Sequence, residues 1–273
     1  MVKFGDALRA LRQGSHFLAG VHEDYHIEHG VLHSVGRTVR DYFPFSQPGV
    51  TTDLAKLHEG DERGLLSFAR TWGLLGYTPP PERQHDPSAW PKGDPVRWVW
   101  AHSRAVHLVL ELHSYLQSGD YDGLDRFLDS YVGPNRSFPV EAFTVTVATP
   151  HGVGEWSKVW GGDVTPARAA LDVIKGIVNP NLKEVSYTLA DDLEVEGALR
   201  PILDYPSLAV VAYWHLSNAM SSIRPVRRCH ECGEFFVVTD RRQQFCPPAP
   251  HQKGTTGSLC GARYRKRGKG GKK

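Results

Sequence analysis

The chain has 273 residues, of which 40% are hydrophobic and 23% charged, a balance suited to one large or two medium globular domains with real cores. The longest apolar run, Leu208 to Leu216, contains His215 and is far too short to span a bilayer. The net charge of +2 hides an asymmetry: residues 224–273 hold 13 Lys/Arg against 3 Asp/Glu (+10), which leaves 19 against 27 (−8) before them.

An acidic body with a basic end points to a polyanion partner for that end, or to its docking on the body. The start, Met1-Val2-Lys3-Phe4-Gly5-Asp6, lacks the apolar core of a signal peptide, so a cytoplasmic protein is expected.

In chain order, Ala7 to Leu11 reads as a short helix. His26 to Tyr42 alternates in part through Val31, Val35 and Val39 and reads as one or two strands. Asp61 to Trp72 reads as a helix with Leu65, Phe68, Ala69 and Trp72 on one face and Gly73 at its end. Pro79, Pro80 and Pro81 open a polar loop that runs to Pro95. Val96 to Gln117 is the strongest helix, because Trp98, Ala101, Ala105, Leu108, Leu112 and Tyr115 step by three and four. A shorter helix follows over Tyr121 to Tyr131, with Asp120, Asp122, Asp125 and Asp129 read as capping and dipole groups and not as an active site.

Phe143, Val145 and Val147 alternate with threonines and mark a strand, with Trp156 to Trp160 as its partner. Thr165-Pro166 is an N-cap followed by proline at the first helical position. That helix is expected to be interrupted at Asn179-Pro180 and to resume over Leu182 to Leu189. Pro206 opens the last helix of the body, with Leu208, Ala212, Leu216, Ala219 and Ile223 as its buried stripe, and Pro225 closes it.

All four cysteines follow: Cys229, Cys232, Cys246 and Cys260. Confined to one short stretch, they do not form a disulfide framework and read as a metal site. Cys229-x2-Cys232 with Gly233 is a tight turn that aims two thiolates at one ion. Glu234 to Val238 and Gln243 to Phe245 are expected to form a hairpin turning at Thr239-Asp240-Arg241, which returns Cys246 to the first pair. Four thiolates leave no open coordination position, so one structural Zn2+ is expected; His251 is the alternative to one cysteine. Phe235, Phe236 and Phe245 are too few to fold such a piece without the metal.

The same residues carry a resemblance. Cys229, Cys232, Phe236, Arg241, Arg242, Phe245, Cys246 and then Cys260-Gly261-Ala262-Arg263 resemble the bacterial CGNR zinc-finger family, with Ala262 where that family has asparagine and a longer interval before the last cysteine. The resemblance implies zinc, a mostly helical N-terminal domain of the ABATE type, and DNA binding or transcriptional regulation. Arg227, Arg228, Arg241, Arg242, Arg263, Arg265, Lys266 and Arg267 surround the finger and are the candidate nucleic-acid contacts. No recognition helix with base-reading side chains is evident, so contacts to the backbone are expected to dominate.

Chemistry elsewhere is sparse. His22-Glu23-Asp24-Tyr25-His26 matches H-E-x-x-H, but no amphipathic helix surrounds it, and it reads as a polar surface segment. His102, His107 and His113 read as surface or satisfied core histidines. There is no Walker loop, no G-x-G-x-x-G and no G-x-S-x-G. The expected fold is α+β: a mostly helical body over 1–223 with a small strand element near 140–160, a zinc-ribbon-like module over 224–267, and a disordered basic tail over 268–273. Nucleic acid is the expected partner and no membrane is involved; the body is left to bind a small molecule or a second copy. The alternatives are a structural zinc module on a ligand-binding or protein-interaction domain, and a metal-dependent hydrolase built on His22, Glu23 and His26.

Overall fold

The computed structural model describes residues 18–47, 49–80, 92–132, 140–161, 164–191, 199–221, 226–238, 242–247 and 258–270. These contain seven α-helices and nine strands, an α+β fold. The chain divides into two compact units, 1–215 and 216–273. None of the described helices is long and apolar enough to cross a membrane.

In the first unit, β1 (Ala19–Glu28) and β2 (Val31–Tyr42) form an antiparallel hairpin. His29 and Gly30 turn it with φ of 49° and 76°, the left-handed pair that suits a two-residue hairpin turn. Val21, Tyr25 and Leu32 face inward while the far half of β2 is exposed. The two-residue β3 (Asp94–Pro95) pairs with Val31 and Leu32. Of the one or two strands expected between His26 and Tyr42, β2 lies wholly there, while β1 begins earlier and carries the H-E-x-x-H residues on a strand. The short helix expected over Ala7 to Leu11 lies outside the described residues.

After a single 3-10 turn (Pro44–Ser46) come α1 (Gly49–Leu54) and α2 (Glu62–Trp72). Asp61 caps α2 by accepting from Gly64 N–H at 2.9 Å, and Leu65, Phe68, Ala69 and Trp72 are its buried stripe. The central helix α3 (Val96–Ser118) is buried along much of its length and ends at left-handed Gly119. It packs against α4 (Tyr121–Val132), whose first turn Asp120 caps by accepting from Gly123 N–H at 2.9 Å. The hairpin of β4 (Val140–Thr149) and β5 (Gly152–Gly161) lays Phe143, Val145, Val147 and Trp160 inward, as the alternation predicts. Then α5 (Pro166–Leu182) packs on α3, α4 and β4.

Two expectations fail here. The α5 helix is not interrupted at Asn179-Pro180 but runs through Pro180 to Leu182, with Lys183 N–H bonded to Asn179 O at 3.2 Å. A proline so near a C-terminus removes one bond of the last turns, and neighbouring Asn181 is anchored by donating to Ala148 O (2.8 Å) and Ile177 O (3.0 Å). Nor does a helix resume over Leu182 to Leu189. Ser186 to Asp191 is instead β6 (Ser186–Asp191), paired with β7 (Leu199–Asp204). The Val185-Ser186-Tyr187-Thr188 run is β-prone, and a partner strand that comes after an interval has no local signal.

The helix α6 (Leu208–Met220) closes the body with Leu208, Ala212, Leu216 and Ala219 buried as expected; Ile223 lies outside the described residues. Within the first unit it is held by polar bonds as well as by packing. Thr51 Oγ1 donates to Ala212 O at 2.9 Å, and His102 Nδ1 lies 3.0 Å from the Tyr213 hydroxyl. His102 is a core histidine only half satisfied: its Nε2 is buried with no hydrogen-bond partner, it stands edge-on to Trp98 at 4.4 Å, and burial pushes its pKa down to about 3.

The buried carboxylate of Asp94 ties two stretches of the body together. It accepts from the backbone N–H groups of Leu75, Gly76 (3.1 Å) and Tyr77 (2.8 Å), pinning the chain that follows α2 to β3. Burial pushes its pKa up to about 6 against the pull of those amides.

Candidate metal centre

The second unit is built around a short hairpin. Its strands are β8 (Val226–Arg228) and β9 (Phe235–Val237), paired Val226↔Val237, Arg227↔Phe236 and Arg228↔Phe235. The expected hairpin, Glu234 to Val238 with Gln243 to Phe245, is therefore wrong in its partner: the strand before Cys229 pairs with the strand after Gly233. Val226 and Arg228 flank a cysteine and carry no strand-length pattern, so the pairing has no signal in the sequence. The turn expected at Thr239-Asp240-Arg241 lies outside the described residues.

Between the strands the chain folds into a tight turn. Gly233 N–H donates to Cys229 O at 2.9 Å and Cys229 N–H donates to Glu234 O at 2.8 Å. Gly233 has φ of 76°, which a residue with a Cβ adopts only at a cost. This is the turn predicted from C-x2-C-G. The segment 242–247 is then hung alongside without strand pairing: His230 N–H donates to Gln244 O at 3.2 Å and Arg227 Nη1 donates to Gln243 O at 3.3 Å. Cys246 is delivered by that segment, with its Sγ 3.4 Å from Cys232 Sγ.

Cys260 arrives on a helix. In α7 (Leu259–Gly270), Ser258 caps the first turn: its hydroxyl accepts from Gly261 N–H at 3.4 Å and its carbonyl from Ala262 N–H at 3.0 Å. A thiolate in the first turn is favoured by the helix dipole. The tail expected to be disordered from Gly268 is helical as far as Gly270, and residues 271–273 lie outside the described residues. The basic run hid this helix, because it offers no apolar stripe; the usable signal was Ser258 standing where an N-cap should.

All four Sγ atoms lie within 4.8 Å of one another, and all four cysteines are free thiols. Zinc–sulfur bonds of about 2.3 Å set the edge of a tetrahedron at about 3.8 Å, so the spacing suits one ion. The site can therefore hold a metal through the four residues predicted. His251, the alternative ligand, lies outside the described residues.

The electrostatics agree. Cys229 is 2% exposed, and its burial opposes ionisation, yet backbone amides of Cys232, Cys246 and Glu231 aimed at the cluster bring its pKa down to about 7. Burial and then the neighbouring Cys232 and Cys229 sulfurs push Cys246 strongly up and Cys260 up to about 11. One thiolate is easy to form here and each further one is opposed by the first, so a divalent cation is the natural counter-charge.

A small core supports the sulfurs. Cys229, Phe236 and Val238 are buried together, with Phe245, Cys246 and Cys260 packed against them. Phe245 also meets Tyr264 of α7 at 5.2 Å and His230 at 6.1 Å. Sequence reasoning missed one tie: Arg267 lies 3.1 Å from Glu231, whose side chain is 6% exposed, so the end of α7 is clamped to the Cys229–Cys232 turn.

The basic residues fall into two sets. Arg227 bonds to Gln243 O, Arg228 lies over the Phe235 ring at 5.2 Å, and Arg267 is paired with Glu231. Arg263, Arg265 and Lys266 are exposed on α7, Arg265 and Lys266 away from the Cys260–Tyr264–Arg267 face and Arg263 at its edge, and Arg242 is exposed on its segment. Arg241 lies outside the described residues.

The H-E-x-x-H residues do not form a centre. His22 and His26 sit on β1, where four residues span about 13 Å, too far for one ion. Glu23 is tied to Arg37 at 2.8 Å, and Asp24 to Arg70 at 2.9 Å. Comparison of the chain with protein families, with curated proteins and with solved structures returns no match.

Proposed function

We propose that the second unit is a structural zinc module that presents a basic helix to the phosphates of nucleic acid, DNA in the first instance, and that the protein acts as a transcriptional regulator. The observation that carries this reading is the construction of α7. One face supplies Cys260 to the thiol cluster, Tyr264 to a ring contact with Phe245 and Arg267 to Glu231, while Arg263 at the edge of that face and Arg265 and Lys266 away from it are exposed. A metal-anchored helix with three exposed cations holds positive charge in a fixed array. The resemblance of Cys260-Gly261-Ala262-Arg263 and its preceding cysteines to CGNR fingers supports the same assignment. No Asn or Gln lies on the helix, so contacts to phosphate, not to base edges, are expected to supply the affinity.

A second reading keeps the zinc module structural and gives the function to the body. It is favoured by a cavity of about 420 Å3 in the first unit, where Leu57, Leu108 and Phe127 form apolar walls and Arg104, His107 and Tyr131 add polar groups. That composition suits a small apolar ligand with a polar end.

Binding to a short duplex across a salt series separates the two. If Arg263, Arg265 and Lys266 each neutralise one phosphate, replacing all three with glutamine should lower the slope of log K against log salt by about 2.7, at 0.9 per contact on duplex DNA. Weak binding indifferent to salt, or an unchanged slope in the triple variant, would leave the ligand-binding body as the better account.

A further inference from the structure

We infer that the tip of the β1–β2 hairpin holds a second metal site, for a divalent late transition ion, in which His26 and His33 form a clamp and Glu28 supplies a carboxylate. The H-E-x-x-H match draws attention to His26 for the wrong reason. Its partner is not His22, four residues along the same strand, but His33, directly opposite on the next one.

Opposed positions on antiparallel strands bring Cβ atoms to about 4.5–5.5 Å. The two imidazoles accordingly lie face to face, with centroids 5.2 Å apart and planes 22° from parallel. Glu28 follows His26 on the same face of β1, and one of its oxygens lies 3.7 Å from His26 Nε2. Its other oxygen lies 4.0 Å from Nδ1 of His29, which adds a third imidazole to the tip.

Stacked as they are, the rings do not converge on a point. Rotation about the side-chain torsions is all that convergence requires, because the strands already hold the two Cβ atoms at chelating distance. His26 and Glu28 are both more than half open to solvent or close to it, at 50% and 61%, so an ion has direct access. Two neutral imidazoles and a carboxylate are a borderline donor set, suited to Ni2+, Cu2+ or Zn2+ and poor for Mg2+ or Ca2+. The site is remote in chemistry from the thiol cluster, and it stands or falls independently of the nucleic-acid reading.

The probe is Ni2+, titrated by equilibrium dialysis into the untagged full chain whose cysteine centre has been filled with zinc, with zinc measured in the same samples. The expected result is one nickel per chain with zinc retained. His26→Gln and His33→Gln should each weaken nickel binding by at least about tenfold, since loss even of groups that merely orient a ligand costs about 10–100-fold. Glu28→Gln should weaken it less, and His58→Gln, at an exposed histidine away from the hairpin, should leave it unchanged. His26 and Glu28 are open to solvent and His33 is half-buried on a strand whose backbone pairing none of the changes touches, so far-UV circular dichroism should match the parent. The inference is overturned by no nickel uptake beyond displaced zinc, or by uptake that survives the His26→Gln/His33→Gln double change.

Discussion

Replacing Cys229 with serine is expected to empty the metal centre and unfold the second unit. Cys229 is the most buried of the four cysteines and belongs to the same small core as Phe236 and Val238. That core is too small to repay the ordering of its own backbone, which costs roughly 1–2 kcal/mol per residue. Structural zinc contributes about 10–16 kcal/mol in comparable small modules, so its loss outweighs every other contact in the unit. Zinc content should fall by about one ion per chain, and proteolysis should cut freely between Val226 and Gly270. The first unit, which has its own core around α3, should resist. Retention of one ion by the serine variant together with an intact second unit would mean that the thiols do not hold the metal.

Removing the Asp94 carboxylate should have the largest effect in the body. Asp94→Ala orphans the N–H groups of Leu75, Gly76 and Tyr77, each at a cost of about 1–3 kcal/mol when left unpaired away from water. A loss of at least about 3 kcal/mol is expected in denaturant unfolding. The pH dependence has a definite sign. Because the folded-state pKa is raised to about 6, Asp94 binds its proton more tightly in the fold than in the unfolded chain. Its contribution is most favourable below the ordinary carboxylate pKa of about 4 and is lost as pH rises through 6. The stability difference between the parent chain and Asp94→Asn should therefore shift against the parent over that interval. A difference that stays constant from pH 4 to pH 7 would show that the carboxylate keeps an ordinary pKa.

What could be read from residues alone was what local chemistry specifies. Asp61, Thr165 and Asp120 announced three helix starts because a capping side chain and the amide it accepts from lie within three residues. The stripe of α3 and the alternation of β4 were legible because one face of each is buried. The four ligands were legible because thiols are rare and were confined to one stretch. Long-range pairing was not legible: nothing in Ser186 to Asp191 names Leu199 to Asp204 as its partner, and nothing in Val226 to Arg228 shows that it pairs across the Cys229–Cys232 turn. At His26, likewise, the cross-strand neighbour His33 is reached only by folding the hairpin.

The position of Cys260 in the first turn of α7 has a geometric consequence. A ligand fixed to an ion cannot rotate about the helix axis, so the metal sets the phase of every residue downstream. Arg263, Arg265 and Lys266 point where they do because they stand three, five and six residues from that fixed point. A single residue inserted between Cys260 and Arg263 would keep all the charge and all the thiols, yet turn the array by about 100°.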